Sequence, residues 1–189
     1  MIAPSTPGWI NLVNTALQLR DATSADLPAI QAIYAQHVLH SCASFELEPP
    51  DVAELERRLA AVRQAGLPYR VAERDGEVLG YAYAVLYRPR PAYRHTAEDS
   101  VYVRDGLGGQ GIGRRLLEDI VAACTAAGFR QLVAVIGDSA NQGSIALHQR
   151  LGFRTVGTFE AVGFKHGRWV DTVLMQLSLG EGERTPGTR

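Results

Sequence analysis

Five glycines fall within eight positions of this 189-residue chain, from Gly106 to Gly113. Val101, Tyr102 and Val103 before them are strand formers. From Ile112 on, apolar residues recur at Leu116, Leu117, Ile120, Val121 and Cys124 with helical spacing. A strand that turns through glycines into a helix leaves several backbone N–H groups unpaired at the helix N-terminus. Glycine lets a ligand approach those groups closely, and the helix dipole favours an anion there. The chemistry predicted is phosphate binding, because a plain strand–helix turn needs one or two glycines, not five. A second candidate is Arg88-Pro89-Arg90-Pro91-Ala92-Tyr93, where two guanidinium groups project from a proline-stiffened loop. Such a pair suits bidentate capture of a carboxylate or phosphinate; a solvated loop is the plainer alternative. His37 and His40 lie three apart near a helix end, but no further ligands stand at a recognisable metal spacing, so no metal site is expected.

Three phosphate templates compete for the glycine turn. The nucleotide P-loop needs Gly-Lys-Ser/Thr at its end, whereas Gly111 is followed by Ile112 and Gly113, which excludes it. The dinucleotide fingerprint is present as Gly106-x-Gly108-x-x-Gly111, with Asp138 beyond the next strand as a ribose ligand, though further along than usual. Clustered glycines satisfy many patterns, and one strand–helix unit after the fingerprint is too few for a doubly wound domain.

The third template is the acyl-CoA turn Gln/Arg-x-x-Gly-x-Gly/Ala, which falls on Gly108 to Gly113. With it come Ala97-Glu98-Asp99-Ser100-Val101-Tyr102-Val103, Val133 to Gly137, Leu147-His148 with Leu151-Gly152-Phe153, and Gly163-Phe164-Lys165-His166-Gly167-Arg168-Trp169. On these segments the chain, from Leu17 to Leu179, resembles the GNAT N-acetyltransferases, and within them the phosphinothricin and methionine sulfoximine acetyltransferase family. The resemblance implies acetyl-CoA as co-substrate, held by Val101, Tyr102, Val103, Gly108, Gly109, Gln110, Gly111, Ile112, Gly113, Asn141 and Arg150. Gly108 departs from the family's Gln or Arg, which removes one side-chain contact to the pyrophosphate. The resemblance also implies an amino-acid acceptor (phosphinothricin, methionine sulfoximine or methionine sulfone) near Phe45, Arg88, Arg90 and Tyr93, a homodimer, and a role in antibiotic or herbicide resistance. Glu98 matches the family's general base; a partly buried carboxylate has its pKa raised towards useful values. Asp99 beside it should point to the other face of the strand. His148 matches the position of the general acid that protonates the leaving thiolate. Without catalysis, the same cradle would serve a non-catalytic acyl-CoA sensor; the dinucleotide fingerprint would instead serve an oxidoreductase.

The elements that must position these residues follow in the order β-α-α-β-β-β-α-β-α-β-β. Leu17 to Arg20 alternates; Ser24 opens a helix with Leu27, Ile30, Ile33 or Tyr34, and Val38 as its stripe; Asp51 to Ala65 is a second amphipathic helix. Tyr69–Glu73 and Val78–Tyr87 are joined through Asp75-Gly76, a hairpin signal. Leu132–Ile136 is a strand, Asn141–Leu151 a helix, and Thr155–Gly163 and Trp169–Leu177 are strands around a loop from Phe164 to Arg168. The predicted class is α/β of the α+β kind: a mixed, mostly antiparallel central sheet with one parallel β-α-β unit at the glycine turn. The domain is expected over residues 16–179, with an N-terminal extension at 1–15 and a disordered tail at 180–189. Nineteen basic against twenty acidic residues, a net charge of −1, give no electrostatic case for nucleic acid or a membrane surface. Cys42 and Cys124 form no disulfide or metal pattern, and no apolar run approaches a membrane span, so a cytoplasmic location is expected.

Overall fold

The computed structural model describes residues 16–187. The expected extension at 1–15 lies outside them. Seven strands and four helices follow in chain order. They are β1 (Gln18–Asp21), α1 (Leu27–His40), α2 (Val52–Gln64), β2 (Tyr69–Arg74), β3 (Glu77–Leu86), β4 (Thr96–Val103), α3 (Ile112–Ala126), β5 (Gln131–Gly137), α4 (Gln142–Arg150), β6 (Arg154–Lys165) and β7 (Arg168–Ser178). One sheet carries all seven strands in the order β1-β2-β3-β4-β5-β7-β6. Every pairing is antiparallel except β4 with β5. This is the mixed, mostly antiparallel sheet with one parallel β-α-β unit that the sequence predicts; a doubly wound dinucleotide fold is ruled out by it.

Asp75 and Gly76 both take positive φ, 55° and 80°, and close the β2–β3 hairpin as a two-residue turn. The expected loop from Phe164 to Arg168 shrinks to a turn of the same kind. His166 and Gly167 have φ of 50° and 72°, and Lys165 pairs directly with Arg168. Leu179 N–H donates to Arg130 O at 2.9 Å, and the Arg130 guanidinium donates to Thr185 Oγ1 at 2.9 Å.

The sheet has two covered faces. Towards α3, β4 turns Ala97, Asp99, Val101 and Val103, and a Cβ on Gly113 would lie 3.5 Å from Val103 and 4.0 Å from Val101. Towards α1 and α2 it turns Glu98, Ser100 and Tyr102. On that second face a column of tyrosines fills the core. Tyr69 stacks on Tyr83 at 4.9 Å between ring centroids, Tyr81 on Tyr102 at 5.3 Å, and Tyr34 meets Tyr102 edge-on at 5.0 Å. Burial pushes their phenols up, Tyr34 to about 12 and Tyr69, Tyr81, Tyr83 and Tyr102 upward as well.

The start of α1 is fixed to the sheet by a buried carboxylate. Arg20 on β1 donates two hydrogen bonds of 2.7 Å to Asp26 and reaches Glu73 of β2 at 2.6 Å. Thr23 N–H donates to the same Asp26 at 2.7 Å, closing a capping box. The Arg20 guanidinium, against the opposing pull of burial, holds the Asp26 carboxyl down at about 2, below its ordinary 3.8. A depressed carboxyl stabilises the fold at neutral pH and stops doing so as the pH falls through that value. Asp26→Asn should therefore cost about 1–2 kcal/mol at pH 7, allowing for solvent at the part-exposed Arg20. In urea unfolding, its deficit against the parent protein should narrow as the pH drops from about 4 towards 2.

Candidate active site

The central feature is a fork between two parallel strands. β4 and β5 are paired over four residues, from Thr96 opposite Gln131 to Asp99 opposite Ala134, and then part. Each stays bonded to its outer neighbour: β4 to β3 as far as Val103, β5 to β7 as far as Gly137. Tyr87 N–H donates to Thr96 O and Arg104 N–H to Leu79 O, so the even residues of β4 turn their amides towards β3. Val101 and Val103 therefore turn theirs into the fork, beyond the last β5 partner. His37 of α1 reaches in and bonds Val103 O through Nε2 at 2.9 Å. The opening, about 160 Å³, is walled by His37, Asp99, Val101, Gly137, Asn141 and His148 among others.

At the mouth of the fork lies the glycine turn. Gly106, Gly109 and Gly111 take φ of 77°, 76° and 80°, a region side chains disfavour. Gly111 is the N-cap of α3, and no side chain bonds the free N–H groups of that helix start. α2 and α4 differ: Asp51 and Asn141 cap them by accepting from Glu54 N–H and Ser144 N–H. An uncapped helix start with glycine on its approach fits a phosphate. At Gly108 a Cβ would meet nothing within 4 Å, so the fold itself does not require glycine there. Asn141 lines the fork while Arg150 stands exposed at the end of α4.

The two carboxylates at the base of the fork face opposite sides of the sheet, as strand alternation predicts. Glu98 is half-buried on the α1–α2 face, opposite Val85 of β3. Burial first, then the charge of neighbouring Asp99, raise its pKa, and Arg88 partly offsets them. Asp99 is buried on the α3–α4 face, where its Oδ2 lies 3.0 Å from His148 Nε2. His148 Nδ1 donates to Ser144 O at 2.7 Å. Burial works against the imidazolium, but the Asp99 carboxylate and the Ser144 carbonyl outweigh it, and the His148 pKa is raised. Glu98 and His148, the expected base and acid, thus sit on different faces, and both ring nitrogens of His148 are already engaged.

The acceptor residues expected from sequence fall in two places. Arg88, Arg90 and Tyr93 line a cleft of their own with Pro89; Arg88 stacks over Tyr87 at 4.8 Å and lends its charge to Glu98. Phe45 instead packs on the far side of the fork, so close to Gly163 and Gly137 that a methyl on Gly163 would overlap its ring. It forms a groove with Leu47, Val162 and Phe164. Sequence reading missed what holds this loop. Lys165 Nζ donates to Ser44 O at 2.6 Å, His166 Nε2 lies 3.3 Å from Ser41 O, and Arg168 pairs with Asp138 and bonds Cys42 Sγ at 3.5 Å. Lys165 and Arg168 bracket the β6–β7 turn, and two cations in so short a run were the available signal. Among the described residues no group of three or more metal-ligating side chains occurs, and no helix is long and apolar enough to cross a membrane.

Comparison with known proteins bears on the same segments. Residues 19–174 match the model of the acetyltransferase (GNAT) domain. The chain is 52% identical to a phosphinothricin N-acetyltransferase of Alcaligenes faecalis, over 96% of this chain and 95% of that one. It is 43% identical to an L-methionine sulfoximine/L-methionine sulfone acetyltransferase of Pseudomonas paraeruginosa, over 89% and 98%. Among solved structures, a GNAT superfamily phosphinothricin acetyltransferase from Sinorhizobium meliloti, in complex with AcCoA, superposes with a TM-score of 0.89 at 48% identity, covering 93% of this chain and 95% of that one. With its fork, its glycine turn and a match across most of its length, this chain belongs to the GNAT acetyltransferase family.

Proposed function

We propose that this protein moves the acetyl group of acetyl-CoA to the α-amine of a small amino acid of the phosphinothricin, methionine sulfoximine or methionine sulfone kind. The observation that carries this is the fork, with an uncapped glycine-rich helix start at its mouth and a carboxylate of raised pKa at its base. In this reading the N–H groups from Gly108 to Gly113 take the pyrophosphate, with Gln110 and Ile112 contributing backbone and Arg150 charge nearby. Val101, and Val103 by its N–H, with Tyr102 fixing the strand between them, pair with the pantetheine arm, the Val103 carbonyl being already bonded by His37, and Asn141 offers its side-chain amide.

Glu98 takes the proton of the incoming ammonium. Its half-burial raises its pKa and so its strength as a base. Arg88, Arg90 and Tyr93 hold the acceptor's carboxylate and its tetrahedral oxygens, and Phe45 borders its apolar stem. Protonation of the departing thiolate falls to the His148 side of the fork. Cytoplasmic turnover of such amino acids, and resistance to those that are toxic, would follow from the same activity. A homodimer belongs to the proposal as well. β6 and β7 expose Val156, Phe159, Val162, Phe164 and Trp169, each more than half accessible, on one hairpin.

Thiol release from acetyl-CoA with each of the three amino acids tests the activity. Saturable turnover with one of them is expected; binding of acetyl-CoA without turnover of any would leave a sensor. Glu98→Gln should lower kcat by about 10²–10⁴ while acetyl-CoA still binds. Because Arg88 favours the charged carboxylate, Arg88→Ala should move the acid limb of kcat/KM to higher pH; an unmoved limb would separate Arg88 from Glu98. At the glycine turn, Gly111→Ala should weaken acetyl-CoA binding, since left-handed backbone costs a side chain about 1–2 kcal/mol. Gly108→Arg, placed in open space, should tighten it; isothermal calorimetry reads both. Sedimentation should find twice the chain mass, and Phe159→Asp should reduce it to one.

A further inference from the structure

His148 cannot give a proton to a ligand without breaking a bond it already makes. Its Nδ1 faces the Ser144 carbonyl at 2.7 Å, which can only accept, so Nδ1 carries hydrogen. Its Nε2 shares a further proton with Asp99 Oδ2 at 3.0 Å. The residue is 2% exposed. The atom of this pair that remains available is Asp99 Oδ1. The Asp99 side chain is 1% exposed, it lines the fork, and its Oδ1 has no hydrogen-bond partner among the described residues. It stands at the last paired residue of β4, where β5 turns away. A buried carboxylate oxygen left without a donor is costly, and one placed at the branch point of a ligand channel is placed for a donor that arrives with the ligand.

An ammonium that becomes an amide nitrogen must lose two protons, and the fork offers two carboxylates on opposite faces. We propose that Asp99 is a catalytic residue that carries the second proton from the acceptor nitrogen to the sulfur of coenzyme A. Glu98 removes the first from the ammonium, the N–H bond breaking and an O–H bond forming, and then releases that proton to solvent. As the N–C bond to the acetyl carbon forms, Asp99 Oδ1 takes the remaining surplus proton: the N–H bond breaks and an O–H bond forms. As the C–S bond breaks with its electron pair going to sulfur, that O–H bond breaks and an S–H bond forms. Asp99 returns to carboxylate, and no outside acid is used. His148 stays an imidazolium throughout, fixing the Asp99 rotamer through its 3.0 Å bond to Oδ2. His148 is then a positioning residue, and the acid lies on β4 rather than α4. This rests on the acetyltransferase function proposed above.

The test uses the full-length protein with acetyl-CoA and whichever of phosphinothricin, methionine sulfoximine and methionine sulfone it turns over fastest. Four variants are compared: Asp99→Asn, Asp99→Ala, His148→Gln and Glu98→Gln. Asp99→Asn keeps the shape and should lose about 10²-fold in kcat with KM for acetyl-CoA unchanged. His148→Gln, which still donates to Oδ2, should lose less than Asp99→Asn. Formate should restore turnover to Asp99→Ala by supplying a small carboxylate, which keeps the proposal testable if Asp99→Asn does not fold. A folded Asp99→Asn with undiminished kcat, a His148→Gln loss larger than the Asp99→Asn loss, or no rescue by formate would each overturn the proton-carrier role, while a loss in Glu98→Gln would leave the function standing. Failure of the unmodified protein to turn over any of the three would remove the function itself and this role with it.

Discussion

Two adjacent strands of one sheet ordinarily stay paired, because each unpaired backbone group buried between them is costly. β4 and β5 part after four residues, and the fold tolerates this because each is held from outside. β3 runs beside β4 through Val103, and β7 runs beside β5 over seven residues. The gap is therefore rigid on both banks. Val101, and Val103 by its N–H, face this gap beyond the last β5 partner, where a ligand can supply donors and acceptors in a strand-like row. Helix α3 then continues the chain from the tip of β4, so its uncapped N-terminus comes to the end of the same row.

The sheet also separates charges that sequence places side by side. Glu98 and Asp99 are consecutive, yet pleating sends one to the α1–α2 face and the other to α4. The carboxylates still influence each other through the strand, which helps to raise the pKa of Glu98. Their counter-charges are also split, with Arg88 serving Glu98 and His148 serving Asp99. The β6–β7 turn adds a third attachment, since Lys165, His166 and Arg168 all reach back to the loop that carries Phe45. An acceptor bordered by Phe45 would thus meet a wall held by an element far along the chain.

Much of this was legible in the residues. Asp75-Gly76 announced its hairpin because both positions need positive φ, and the glycine run announced a helix start that no side chain would cap. The alternation around Val101 to Val103 put Glu98 and Asp99 on different faces. The partnership of Asp99 with His148 was not legible, because 49 residues separate them and only the packing of α4 under the fork joins them. The extent of the β6–β7 strands was misjudged for a related reason. His166-Gly167 is a turn that histidine rarely takes, and the polar run around it resembles a loop.

The tyrosine column carries a consequence for how the protein meets alkali. A free phenol ionises near pH ~10. Burial moves that point upward, to about 12 for Tyr34 and upward as well for Tyr69, Tyr81, Tyr83 and Tyr102. Once the pH passes the unfolded value, every further step favours the unfolded chain, where those phenols can ionise, and stability falls on behalf of several groups together. For these five, the ultraviolet signature of phenolate would not grow as a set of independent curves. It would rise in one abrupt step as the sheet opens, making the core its own indicator of the alkaline limit of the fold.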